Sequence, residues 1–343
     1  MFLGVEIGEP GSTGPAGAGC VRAARLAEQG AFAFVTLDES LVPPAGAGTA
    51  GPPAGQSRLN PVTALAHVAP LTTSIGLLAT TTVSHLEPFH VSKALATLDH
   101  VSSGRAGWCV RVSRSAEEAG LFGDLAPCDL PARYEEAAEF ATVVTLLWDS
   151  WADGAEIRDS ATGRFLDGTR IRAVDHRGKY FRVKGPGIVP RPPQGHPVMA
   201  VRVDADEDLP LAACADLVLG RFDRVVAARP RLGSGSRTVA DLYMDCRGLP
   251  PGRWAWRTDG PVGTGGVRDL ADFLRAAAER GSVDGFRLVL ADPAVELGRF
   301  VAEAVPVLRA DGLLPPAGGP DGARRTFRER LGLPHRAPNR LFP

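Results

Sequence analysis

The sequence predicts a (β/α)8 TIM barrel, and three observations carry that prediction. Short apolar runs rich in β-branched residues alternate with helical patterns along the chain, as in a parallel α/β fold. About eight such runs fit within 343 residues. No GxGxxG follows the first run, as a doubly wound dinucleotide-binding sheet would carry, so the closed barrel is favoured.

The elements follow in order. Strands are expected at 3–6, 32–36, 75–79, 105–112, 198–203, 216–219, 239–245 and 286–290. Each is short and bounded by Gly, Asp or Ser. Helices are expected at 18–29, 61–71, 88–101, 131–148, 267–280 and 294–309. Pro61, Pro88 and Pro131 sit where a helix begins, a position that tolerates proline. Three stretches break the rhythm. Residues 42–57 form a Pro/Gly/Ala loop without apolar pattern, expected to be flexible. Residues 152–197 read as an excursion of turns and charged or aromatic segments. Residues 220–265 show little helical pattern where a barrel needs two strand–helix units, so the barrel is expected to be shortened between strands 6 and 8. The whole chain, 1–343, reads as one barrel domain.

Composition narrows the function classes. Lys and Arg number 38 and Asp and Glu 39, giving a formal charge of −1 with no concentrated basic stretch. Binding of nucleic acid or an anionic membrane by field alone is not expected. No segment approaches the roughly 20 apolar residues needed to span a bilayer. The first residues, MFLGVEIGEP, lack the basic and apolar regions of a signal peptide, so a cytoplasmic protein is expected. Five widely spaced cysteines form no CxxC, which suggests neither a disulfide framework nor a thiolate zinc site. His176 and His196 have no second ligand at metal spacing, and no metal site is expected.

Residues 59–113 carry a stretch ending in ATLDHVSSGRAGWCVRVS. It is followed by RYEEAAEF (133–140), LWDSW (147–151), DHRGKYFRVKGP (175–186) and PRPPQGHPV (190–198). VDGFRLV (283–289), FVAEAVPVLRADGL (300–313) and TFRERLGLPHRAPN (326–339) complete the set. In these blocks and their order the chain resembles the bacterial-luciferase-like flavin monooxygenases, within them the nitrilotriacetate, pristinamycin-synthase and dibenzothiophene-sulfone group. The resemblance implies a TIM barrel with its site at the C-terminal face of the strands. It implies two-component chemistry, in which a separate reductase supplies reduced FMN and the flavin peroxide oxygenates a small organic molecule. It also implies a homodimer, or a heterodimer with a homologue.

Matched to the family's flavin contacts, this chain departs at several positions. Glu39 replaces an Asp after the second strand, with Asp38 beside it. Val83 stands where a hydroxyl residue is usual, and His85 where the family has Tyr. Cys109 replaces Asn in the fourth strand, while Tyr134 is kept. After the fifth strand the family has Gln-Ala-Gly-x-Ser, whose small residues and hydroxyl take the FMN phosphate at a helix N-terminus. This chain reads VRVDADEDLP at 201–210, with Ala205 in place of the Ser. Asp204, Asp206, Glu207 and Asp208 share that turn, and a dianion beside them is disfavoured by roughly 1 kcal/mol or more per close pair. The missing glycine also denies close backbone approach.

His85, at the C-terminal end of the third strand, is a candidate acid–base group, with a capping or exposed histidine as the alternative. Cys109 is expected to be an inert buried thiol. Arg111, two residues on and on the same strand face, is a candidate for a substrate carboxylate or phosphate, or a solvated rim residue. Tyr134 is a candidate for a ligand phosphate or substrate. Asp99 and His100 fall on the N-terminal side of the fourth strand, where barrel residues serve stability. Trp148 and Trp151 share a face and are expected in core or interface. Three functions stay open: a flavin-dependent monooxygenase, a flavin-free descendant doing non-redox chemistry, and a non-catalytic subunit of a heterodimer.

Overall fold

A computed structural model describes residues 1–8, 16–39, 41–42, 59–123, 129–258, 260–280, 282–315 and 325–343. The expected loop at 42–57 lies outside these residues, apart from Val42. Eight parallel strands close on themselves: β1 (Phe2–Glu6), β2 (Phe34–Leu37), β3 (Gly76–Thr82), β4 (Ala106–Arg111), β5 (Val198–Val203), β6 (Leu217–Gly220), β7 (Arg237–Asp245) and β8 (Gly285–Leu290). Each pairs with the next in chain order, β6 with β7 through Leu217 opposite Arg237. β8 returns to β1 with Phe2 opposite Gly285. The sequence expectation of a barrel is met, and the eight strands match the expected segments to within three residues at their ends.

Helices cover the strands: α1 (Ala16–Gln29), α2 (Pro61–Val68), α3 (Pro88–Ser102), α4 (Leu130–Asp149), α5 (Leu209–Ala212), α6 (Phe222–Ala228), α7 (Val267–Glu279) and α8 (Pro293–Ala310). Local chemistry sets their starts. Asn60 Oδ1 accepts from the Thr63 N–H at 3.0 Å ahead of Pro61, and Asp129 Oδ1 accepts from the Ala132 N–H at 3.3 Å ahead of α4. Both are side-chain caps on otherwise unsatisfied first-turn amides. The stretch with little helical pattern holds the short α6 and two antiparallel strands, Arg253–Arg257 and Gly263–Gly266, that extend the sheet beyond β7. α5 and α6 are too short to show a helical apolar period, which is why the sequence did not reveal them.

The excursion between α4 and β5 is two hairpins, Glu156–Asp159 with Arg164–Leu166 and Val174–Arg177 with Arg182–Gly185. Glu139 on α4 holds the second: its carboxylate takes the N–H groups of Lys179 and Phe181 and bonds the His176 ring at 3.0 Å. Trp148 and Trp151 are buried.

The N-terminal end of the barrel is closed by the chain's own C-terminal segment. Phe327 is fully buried between β2, β3 and β4, its ring 5.7 Å from that of Phe34. A Cβ at Gly76 would sit 2.5 Å from the Phe327 ring, and one at Gly107 2.8 Å, so the plug requires glycine at both positions. Arg328 Nη1 meets Asp216 at 3.0 Å, and the Arg328 N–H donates to Gln194 Oε1. Asp99 lies in the same layer, accepting from the Gln194 N–H and Nε2 and from the Ala106 N–H. Burial pushes its carboxyl up to about 6 against those bonds. Among the described residues the barrel is thus plugged at this end, while a cavity opens at the C-terminal end of the strands.

Candidate active site at the barrel mouth

Inward-facing strand positions carry charge. Asp241 on β7 is fully buried, and Arg287 on β8 is 2% exposed. Arg287 Nε donates to Asp241 Oδ1 at 2.7 Å, and Arg202 Nη1 on β5 lies 2.6 Å from Asp241 Oδ2. Arg287 Nη1 also reaches Thr36 Oγ1 and Asp38 Oδ2, each at 3.2 Å, while Thr80 donates to Asp38 Oδ1 at 2.8 Å. Burial alone would raise the Asp241 carboxyl. The Arg287 and Arg202 guanidiniums overcome that and hold it below the usual carboxylate range. Glu6 is raised, first by burial and then by the nearby Asp38.

Above this cluster is a cavity of about 300 Å³. Asp38, Thr80, Cys109, Arg202 and Arg287 contribute to its lining, together with Glu39, Arg111, Arg114, Tyr134 and Asp208. Of the sequence-derived candidates, the fold therefore gathers Glu39, Cys109, Arg111 and Tyr134. Glu39 Oε2 accepts from the Thr82 N–H at 2.6 Å. Arg111 donates to Thr82 Oγ1 at 2.9 Å and pairs with the buried Glu118 at 2.6 Å. The Cys109 thiol is pushed up to about 12, chiefly by burial and then by Asp38, so it is a poor nucleophile at neutral pH.

His85, Val83 and Ala205 are not brought into the cavity lining. The His85 ring stacks on Phe122, 4.5 Å between centroids, in the turn that follows the short helix Ala116–Gly120. Val83 is buried in the hydrophobic cluster that also holds Tyr134 and Phe140. Ala205 is part of the turn after β5, where its N–H donates to Asp208 Oδ2. Among the described residues, no group of three or more His, Cys, Asp or Glu is arranged to hold a metal ion.

The acidic turn resolves into two kinds of carboxylate. Asp204, Asp206 and Glu207 are exposed, and Arg202 and Arg224 pair with the first two. Asp208 alone turns inward and is buried. Its Oδ2 accepts from the N–H groups of Asp204 at 2.8 Å and Ala205 at 2.9 Å. Its Oδ1 accepts from Arg114 Nη2 at 2.6 Å and from the Tyr134 hydroxyl. Arg114 in turn donates to the Tyr134 oxygen. Burial raises the Tyr134 hydroxyl, and the Asp208 carboxylate raises it further, so it stays a proton donor.

These residues do not fit FMN at the turn where the resemblance places its phosphate. A carboxylate already accepts from both turn amides, from the guanidinium and from the kept tyrosine. A phosphate brought there would lose those donors and meet a buried anion. The sequence located the acidic turn but did not mark Arg114, Arg202, Asp208, Asp241 or Arg287 as site residues. Arg202, Asp241 and Arg287 had a visible signal, a single charge inside an apolar strand. Arg114 and the inward turn of Asp208 had none.

The luciferase-like monooxygenase profile matches residues 1–213. The chain is 40% identical to nitrilotriacetate monooxygenase component A of Aminobacter aminovorans over 184 residues, 54% of this chain and 39% of that one. It is 38% identical to a pristinamycin IIA synthase subunit of Streptomyces pristinaespiralis over 198 residues, 58% of this chain and 60% of that one. It spans about half the length of the curated relatives it matches. Among solved structures, EDTA monooxygenase from Chelativorans sp. BNC1 superimposes with a TM-score of 0.79 at 21% identity, over 98% of this chain and 99% of that one, a likeness of fold. No helix of the described residues is long and apolar enough to cross a membrane. With a closed (β/α)8 barrel, a cavity at its C-terminal mouth and a profile match over more than half its length, this chain belongs to the luciferase-like monooxygenase family.

Proposed function

We propose that this chain is a component of a two-component, FMNH2- and O2-dependent monooxygenase system acting on a small organic metabolite. A homologous chain holds the flavin, this chain pairs with it, and a separate reductase supplies the reduced FMN. The observation that carries this reading is the Asp208 carboxylate on the turn amides, Arg114 and Tyr134. The barrel keeps the family's architecture while the place for the cofactor's phosphate is filled from within. The matched relatives support the composite nature of such a system, since by their own names one is a component of a monooxygenase and another a subunit of a synthase.

A second reading is favoured by the cavity itself. Its volume of about 300 Å³ and its mixed lining of Asp38, Glu39, Cys109, Arg111 and Arg202 suit a small polar molecule and flavin-free chemistry. Co-expression with a flavin-binding luciferase-like homologue from the same genome separates the two. The first reading expects a mixed oligomer by native mass spectrometry, with one flavin per pair of unlike chains and oxygenation that needs both. A chain that stays apart from such homologues, and that converts a metabolite without flavin, contradicts it.

A further inference from the structure

We propose that Asp208 is a built-in occupant of the family's anion seat, and that this one carboxylate closes the chain to the phosphate of FMN. The inference deepens the reading that the flavin is held elsewhere and rests on it. Its test uses this chain alone, so a failure here is distinguishable from a failure to find a partner.

The geometry is that of an anion site with its anion supplied. Two successive backbone N–H groups, of Asp204 and Ala205, converge on one carboxylate oxygen at 2.8 and 2.9 Å. A guanidinium nitrogen at 2.6 Å and a phenolic hydroxyl converge on the other. These donors come from three elements: the turn after β5, the segment after β4, and α4. Tyr134 and Arg114 lie 74 and 94 residues from Asp208, so the convergence is tertiary and not a local cap. Asp208 is buried, as a bound anion's oxygens would be. A cap of its own short turn needs only the two amides. Arg114 and Tyr134 are surplus to that role and are the residue types that recognise phosphate.

Taking the carboxylate away leaves four donors without the acceptor they share. Asp208→Ala is therefore expected to gain what the unmodified chain lacks, a preference for FMN over riboflavin, which differ by the phosphate alone. The gain is about tenfold in affinity, the worth of about one charge-assisted hydrogen bond. Inorganic phosphate should compete with that gain and raise the melting temperature of the variant, not of the unmodified chain. Adding Arg114→Ala to Asp208→Ala should abolish both effects. Asp208→Asn keeps the size of the side chain and guards against a variant that folds poorly. Its amide N–H₂ faces donors, so it should show the same phosphate response in weaker form.

The proposal is overturned if the unmodified chain already binds FMN about tenfold more tightly than riboflavin. It is equally overturned if the folded Asp208→Ala and Asp208→Asn proteins respond to neither phosphate nor FMN.

Discussion

The inward charges of β5, β7 and β8 answer one another across the barrel. Asp241 is fully buried and lies between Arg202 and Arg287, with contacts of 2.6 and 2.7 Å. Removing one member of such a group leaves the others uncompensated in a medium that solvates ions poorly. Asp241→Ala is expected to cost about 3–5 kcal/mol in a urea unfolding titration, by that principle. A loss under about 1 kcal/mol, the range of exposed pairs, would mean that water reaches the two guanidiniums. At this scale the sequence was partly legible. Arg202, Asp241 and Arg287 stand out as charges inside apolar runs, although their pairing depends on barrel closure. His85 shows the reverse. Its place after β3 suited a mouth residue, but its ring turns to Phe122, from a turn the sequence does not connect to it.

At the scale of elements, side chains tie helices and termini to strand ends. Glu28, in the last turn of α1, accepts through Oε1 from the N–H groups of Thr73, Ser74 and Ile75 at the entry to β3. Burial alone would raise this carboxyl, but the Ser74 and Thr73 amides outweigh it and the carboxyl is lowered. A lowered folded-state value gives stability that is present above the unfolded value and lost as pH falls through the folded one. The unmodified protein should thus lose stability relative to Glu28→Gln as the pH drops below about 4.5, the ordinary glutamate value. Thermal melts across that range check it, and parallel curves for the two proteins would contradict the tie. The strands and long helices were legible because each buries one face for long enough to show a period. The C-terminal block TFRERLGL was legible as a motif, but its role as the floor of the barrel was not. That role is a contact of Phe327 with glycines more than 200 residues away.

For the whole molecule, the sequence supplied the fold and the family resemblance, and pointed to the C-terminal face of the strands, where a cavity lies. It also located the turn that departs from the family, because a run of four acidic residues within 204–208 is conspicuous where small residues are expected. It did not reveal which carboxylate turns inward, since that choice is made by Arg114 and Tyr134, from elsewhere in the chain. The molecule is thus a luciferase-like barrel, sealed at its N-terminal end by Phe327 and charge-paired within. At its mouth the Asp208 carboxylate takes the turn amides, Arg114 and Tyr134, on our proposal the donors that a phosphate would need. Anaerobic titration of the unmodified chain with reduced FMN, and separately with reduced riboflavin, tests this most directly. No saturable binding that depends on the phosphate is expected, and the two flavins should behave alike. Saturable one-to-one binding of reduced FMN, about tenfold tighter than reduced riboflavin, would contradict it and return the flavin chemistry to this chain's own barrel.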